Sequence, residues 1–147
     1  MSTELRLFAV AGIVLIAVLL GLIWKLTSGR ARLVRDGKQV DLGELGAVKN
    51  GQPVVEFGSR LTFLQFSSEV CSQCVQTARI LGELESQSDD VLHIEVDITN
   101  RLDLADKYQV LQTPTTLILD RRGVVKSRIG GAPKSSTLET EIGSFQI

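Results

Sequence analysis

The run "LFAVAGIVLIAVLLGLIW", Leu7 to Trp24, contains no charged residue and sets the first limit on how this chain can fold. At about 1.5 Å per residue, roughly 18 helical residues cover about 27 Å, close to a bilayer hydrocarbon core of about 30 Å. Trp24 and Lys25 close the run, an aromatic ring and a cation suited to the headgroup region. A cleaved signal peptide has an apolar stretch of only about 7–15 residues and a small-residue cleavage site; "KLTSGRARL" offers no such site. The reading is a short tail over 1–6 and an uncleaved single-pass anchor over 7–26, which makes the lipid bilayer a partner of the chain and the cell membrane its location.

Flanking cations set an orientation. Arg6 and the amino terminus precede the run, with Glu4 nearby, whereas Lys25, Arg30, Arg32, Arg35 and Lys38 come after it. The excess after the span favours the cytoplasmic face for the domain, with the extracytoplasmic face as the alternative because a lone span can insert either way. The polar, basic stretch "TSGRARLVRDGK" over 27–38 reads as a linker, and 39–147 as one domain. Hydrophobic content of 44% and charged content of 22% exclude disorder. A net charge of -1, one Trp and one Tyr give no footprint for nucleic acid.

In the domain, "GQPVVEF" and "RLTFLQF" read as strand material broken at Gly58-Ser59. Leu61 to Phe66 is nearly continuous in apolar and β-favouring residues, as a central strand covered on both faces requires. A helical period starts at the cysteines, with Val75, Ala78, Leu81 and Leu84 in a stripe and Ile80 beside it, and "SQSDD" ends it. "VLHIEVDI" is a second strand. "NRLDLADKYQV" is a short helix with Thr99 or Asn100 as its cap and Leu104 and Tyr108 on one side. "TTLILD" and "GVVKSRI", separated only by "RRG", form an antiparallel hairpin, and Ser135 or Ser136 caps a last helix. This order predicts a mixed sheet with helices on both faces.

The chain's two cysteines, Cys71 and Cys74, enclose Ser72-Gln73 at the point where a strand ends and a helix begins. A structural zinc site needs four Cys or His ligands, and the chain has two Cys and one His. Zinc or copper held between two chains stays as a rival reading. A structural staple across so small a loop removes little chain entropy. Redox chemistry fits the placement better. A cysteine over a helix N-terminus meets unpaired N–H groups and the positive end of the dipole, which lowers a thiol pKa from about 8.5 to between about 3.5 and 7.5. Cys71 is then the attacking thiol, and Cys74, one turn on, the resolving one. Pro114, opening a strand, cannot donate a ladder hydrogen bond. A cis Thr113-Pro114 bond accounts for it by presenting the Thr113 backbone to an extended substrate.

With these residues in view the chain resembles the thioredoxin family. "FLQFSSEVCSQC", "IEVDITNRLDLADKYQVLQTPTTLILDRRGVVKSRIGG" and their spacing carry the likeness. Asp97, Leu104, Ala105, Tyr108, Val110, Pro114, Thr115, Gly123 and Gly130 stand where a thioredoxin has them. The resemblance implies an α/β thioredoxin fold, a mixed central sheet flanked by helices, here preceded by one N-terminal transmembrane helix. It also implies a Cys71/Cys74 dithiol with no bound cofactor or metal. Thr113, Pro114 and Val70 would touch a disulfide- or dithiol-bearing protein substrate, and a thiol reductant or oxidant would recycle the pair, with the reductase direction favoured. Val70 replaces the family's usual Trp, Ser72-Gln73 its Gly-Pro, and Arg79 the proline that kinks the active-site helix. Gln65 stands at the family's buried-acid position, where an amide cannot hold a proton. The candidates for proton transfer at Cys74 are therefore His93, Gln65 and Glu69. Of these, His93 has the ordinary pKa for that work; a strand residue without a role on an outer face is the plainer reading of it. Glu69 reads as a solvated loop acid. These departures also motivate a second reading, a non-catalytic scaffold at the membrane.

The tethered reductases of cytochrome maturation share the layout but insert an extra strand and helix before the second strand, for which "SQSDD" leaves no room. The segment "VRDGKQVDLGELGAVKNGQPVV" has room for an additional hairpin.

Overall fold

The structure is a computed structural model describing residues 3–145. The amino-terminal charge invoked for orientation lies outside those residues. Helix α1, Thr3–Thr27, takes in most of the expected tail as well as the apolar run. Among the described residues it is the one helix long and apolar enough to cross a membrane, and none of its residues is buried against the rest of the chain.

The central sheet is built from β1 (Ala31–Leu33), β4 (Leu61–Ser67), β5 (Val91–Asp97), β6 (Thr115–Asp120) and β7 (Val125–Gly130), in the order β1-β7-β6-β4-β5. β4 and β5 are parallel and the other neighbours antiparallel. All seven residues of β4 are buried, as its continuous apolar pattern requires. Helices α3 (Ser72–Ser86) and α5 (Ser135–Ser144) cover one face, and α2 (Leu42–Leu45) with α4 (Leu102–Lys107) the other. Leu61, Phe63, Leu81, Ile118, Ile129 and Leu138 fill the first interface. Leu64, Phe66, Ile94, Leu104, Tyr108 and Leu117 fill the second, where the Phe66 and Tyr108 rings lie 5.4 Å apart. A bulge between Ile118 and Leu119 turns Val125 to the second face although Ser127 and Ile129 point to the first. Gly123 makes the tight β6–β7 turn at φ +77°, and a Cβ there would sit 2.3 Å from the Phe57 ring.

Several expectations change at the element ends. The "GQPVVEF" strand shrinks to β3, Gln52–Pro53, which pairs with β2, Val48–Lys49, through an Asn50-Gly51 turn as a separate two-stranded ribbon. Pro53 has no N–H to extend the ladder. In α3 the buried positions are Cys74, Thr77 and Leu81, while Val75 is 72% exposed. The first two positions of the stripe lie one residue back from the expected ones, with Leu81 in place, because a cysteine and a threonine serve as core. Arg101, not Thr99 or Asn100, precedes α4 and gives no side-chain cap. Thr99 is held instead in a turn, its N–H donating to Asp97 Oδ1 at 2.7 Å. Lys134 stands at the cap position of α5, so Ser135 is already its first residue. Ala31–Leu33, within the expected linker, forms the edge strand β1 on β7.

Burial ranks the side chains for a direct test. Phe63→Ala should lower stability by about 3–5 kcal/mol through lost transfer energy and a cavity. Leu33→Ala, at a site 86% exposed, should change it by less than about 0.5 kcal/mol. Chemical denaturation of the two variants side by side checks the ordering.

Candidate functional site

The site assembles where β4 ends. Ser67 is the last strand residue, a short loop leads on from it, and Cys71 caps α3 in extended conformation at φ −136°, ψ 94°. Cys71 Sγ accepts from the Cys74 N–H at 3.2 Å, and the Cys71 carbonyl from Cys74 and Val75. The two cysteines are joined in a disulfide, with Cα atoms 5.2 Å apart. Cys71 is partly exposed and Cys74 is only 2% exposed. An incoming sulfur therefore reaches Cys71 first. The first turn of α3 has no acidic residue to offset its positive end, so the local field favours an anionic sulfur at Cys71 when the bond is open. Val70 beside it is an exposed apolar side chain, 98% accessible.

Strand β6 brings the second part. The Thr113-Pro114 peptide bond is cis, Pro114 is buried, and its carbonyl accepts from Gly131 N at 2.8 Å. Thr113 and Ser68 share a hydroxyl–hydroxyl hydrogen bond of 3.0 Å, which ties the proline loop to the cysteine loop. Nothing in the sequence signalled Ser68; its partner is 45 residues away.

Beneath Cys74 lies a buried polar group. Gln65 Nε2 donates to the Cys74 carbonyl at 2.9 Å and makes a long contact of 3.5 Å with Glu95. A carbonyl only accepts, which orients the amide and leaves Gln65 Oε1 to accept from His93 Nε2–H at 3.1 Å. The expectation for His93 on an outer face is corrected: it is 8% exposed and faces α3. Among the described residues no hydrogen bond joins it to Cys74; Gln65 bonds both. Burial first, and the Lys49 ammonium second, push its pKa from 6.5 to about 4, against a smaller opposing effect of Glu85. His93 is therefore neutral at pH 7, and the ordinary pKa that suited it to proton transfer does not hold in the folded chain. Lys49 and Glu85 form an ion pair that also caps the free edge of β5, with Lys49 donating to the His93 carbonyl at 2.8 Å and the His93 N–H donating to Glu85 at 3.2 Å. Thr116, opposite Gln65 in the register, is buried with no partner for its hydroxyl among the described residues. Glu69 is exposed, and its backbone N–H, not its carboxylate, is engaged, donating to Thr99. Among the described residues no three metal-binding side chains converge.

The depressed histidine has a stability consequence. The unfolded chain binds a proton at His93 below about pH 6.5, and the folded chain resists it down to about 4. Stability is thus full above 6.5 and falls as pH drops, by about 2 kcal/mol at pH 5, where most carboxylates remain ionised. His93→Asn should flatten that part of the curve, as urea midpoints between pH 7 and 5 would reveal.

The thioredoxin family model matches residues 48–144. The chain is 27% identical over 105 residues to thioredoxin H5 of Oryza sativa subsp. japonica, covering 71% of this chain and 72% of that one. It is 31% identical over 85 residues to thioredoxin of Bacillus subtilis (strain 168), covering 57% and 82%. The crystal structure of the thioredoxin NaTrxh from Nicotiana alata superposes with a TM-score of 0.52 at 25% identity, over 60% of this chain and 76% of that one. With the model spanning most of the sheet and both cysteines in place, the chain belongs to the thioredoxin family of protein-disulfide oxidoreductases.

Proposed function

We propose that this chain is a membrane-tethered thioredoxin that reduces protein disulfides, anchored by α1 over 7–26 with its redox domain on the cytoplasmic side. The observation that carries the chemistry is the asymmetry of the disulfide: Cys71 caps a helix and is reachable, and Cys74 is buried behind it. The length and composition of α1 support the tether, and the cations after it support the side.

In the reduced protein the Cys71 thiolate attacks one sulfur of a substrate disulfide. A Cys71–substrate bond forms and the second substrate sulfur leaves as a thiolate. Cys74 then attacks Cys71, the mixed disulfide breaks, and the first substrate sulfur departs. Two electrons have passed to the substrate, and Cys71–Cys74 is oxidised until an external thiol reductant restores it. Gln65 holds the Cys74 carbonyl, and no acid stands at its position to take the Cys74 proton. That proton goes to the departing substrate thiolate, a base of matching strength. His93 acts through Gln65, keeping the amide turned toward Cys74. Thr113 and Val70 contact the substrate chain on either side of the exposed sulfur.

A scaffold role is the rival reading, favoured by Val70 and Gln65 where the family has a Trp and an acid. An insulin-reduction assay with dithiol recycling separates the two. The wild-type chain should turn over and Cys71→Ser should lose activity by a factor of about 10³ or more. Cys74→Ser should accumulate a mixed disulfide at Cys71. Wild-type turnover no faster than Cys71→Ser would leave scaffolding as the function.

A further inference from the structure

The anchor and the redox site lie on the same edge of the sheet. Following the register, Ala31 pairs with Ile129, the neighbouring Gly130 with Thr115, and Thr115 with Phe66. The start of β1, the end of β7, the start of β6 and the end of β4 therefore line one edge. The Cys71 loop leaves that edge after Ser67, and cis-Pro114 enters it before Thr115. Three strand spacings of about 4.8 Å separate β1 from β4, roughly 14 Å. Only Ser28, Gly29 and Arg30 join α1 to β1, a reach of at most about 10 Å. This connector is fastened down. Gly29 N donates to Gly130 O at 3.0 Å, and at φ +73° a Cβ on Gly29 would lie 2.3 Å from the Ala132 carbonyl. α1 is therefore attached at this edge, and none of its residues is buried against the domain.

We infer that the redox edge faces the bilayer and that the substrate is a disulfide in the juxtamembrane segment of an integral membrane protein. The inference rests on the proposed thiol exchange and on α1 crossing the membrane. The rim of the edge matches such a setting. Trp24, Val70 and Leu111 are 69%, 98% and 95% exposed, and Lys25, Arg30 and Arg32 are exposed around the helix end, where headgroup phosphates would lie. Trp24, Thr27 and Arg30 share a cleft of about 350 Å³ with Leu111, Gln112 and Gly130, so the helix end adjoins the proline loop. The far end of β4 stands roughly 20 Å deeper into the aqueous phase, at about 3.3 Å per residue. The Cys71/Cys74 dithiol supplies two electrons and two protons, ends as the disulfide, and leaves two thiols on the substrate.

Two measurements on the full chain in phospholipid vesicles test this. In the first, a donor dye is placed on Cys71 of Cys74→Ser, or on the opposite edge through Asp89→Cys in a Cys71→Ser, Cys74→Ser background, with acceptor dyes on lipid headgroups. Stronger energy transfer from Cys71 is expected; equal or weaker transfer overturns the orientation. In the second, the reduced chain meets transmembrane peptides carrying one disulfide either roughly five or roughly twenty-five residues from the bilayer. The near disulfide should be reduced about tenfold faster through its higher effective concentration, and equal rates overturn the substrate class. A soluble peptide disulfide, assayed in detergent, reports the exchange chemistry alone. Its failure to react removes the thiol reading, and a chain that fails to float with vesicles removes the anchor, each taking the inference with it.

Discussion

Seven consecutive buried residues, Leu61 to Ser67, fix everything the site needs. β4 is paired on both sides, to β5 over its whole length and to β6 over six positions, so moving it means breaking two ladders at once. Gln65 on this strand supports Cys74 from below, and the loop from its end delivers Cys71 to the cap of α3. Its neighbour β6 carries the cis proline, and its other neighbour β5 carries His93. The sulfur chemistry depends on Cys71 staying at the helix cap, where the dipole and free N–H groups act within one turn. A strand with no solvent face supplies that fixity.

The price of this rigidity is a polar interior on the α3 side. Thr77, Gln65, His93, Thr116 and Ser127 are all buried there, and each costs free energy unless it finds a partner. Thr77 bonds the Gln73 carbonyl at 2.8 Å, Ser127 bonds Glu141, and Gln65 and His93 bond each other. Only Thr116 lacks one among the described residues. An amide facing a neutral imidazole also differs electrically from a buried acid. With His93 depressed to about 4, neither member of the pair changes charge across neutral pH. The surroundings of Cys74 on this side therefore stay electrically constant, which agrees with the proposed passage of its proton to the departing substrate thiolate.

What the sequence made legible rested on periodicity and local chemistry. The all-apolar run of β4, the β6–β7 hairpin around "RRG" and the Cys-x-x-Cys at a strand–helix junction are all short-range signals, and all three stand. So does the cis bond at Pro114, inferred from a proline where a strand should begin. The errors arose where tertiary contacts override local pattern. Val75 has the pattern of a core residue and Thr77 does not, yet Thr77 satisfies its hydroxyl on its own helix and is the one buried. Strand alternation gives His93 one of two faces without saying which is covered, and the structure covers it. The Lys49–Glu85 pair that caps β5 joins positions 36 apart and left no trace in any local window.

The segment 27–38 shows the same limit in its most consequential form. "TSGRARLVRDGK" is short of apolar residues and rich in Arg and Lys, the composition of a flexible tether. It is also what a protected edge strand looks like, since an edge with one open side uses charge to discourage further pairing. β1 buries little and gains its place from backbone hydrogen bonds to β7, which no side-chain pattern encodes. On the proposed membrane reading, the distinction changes what α1 does. A slack tether of a dozen residues would raise the local concentration of any disulfide near the surface without regard to direction. A three-residue connector bonded to Gly130 gives up that reach and holds one edge of the sheet toward the helix end. Because the strand order places Cys71 on that edge, α1 acting as the proposed membrane anchor would select which sulfurs can approach, before any side chain of the site makes contact.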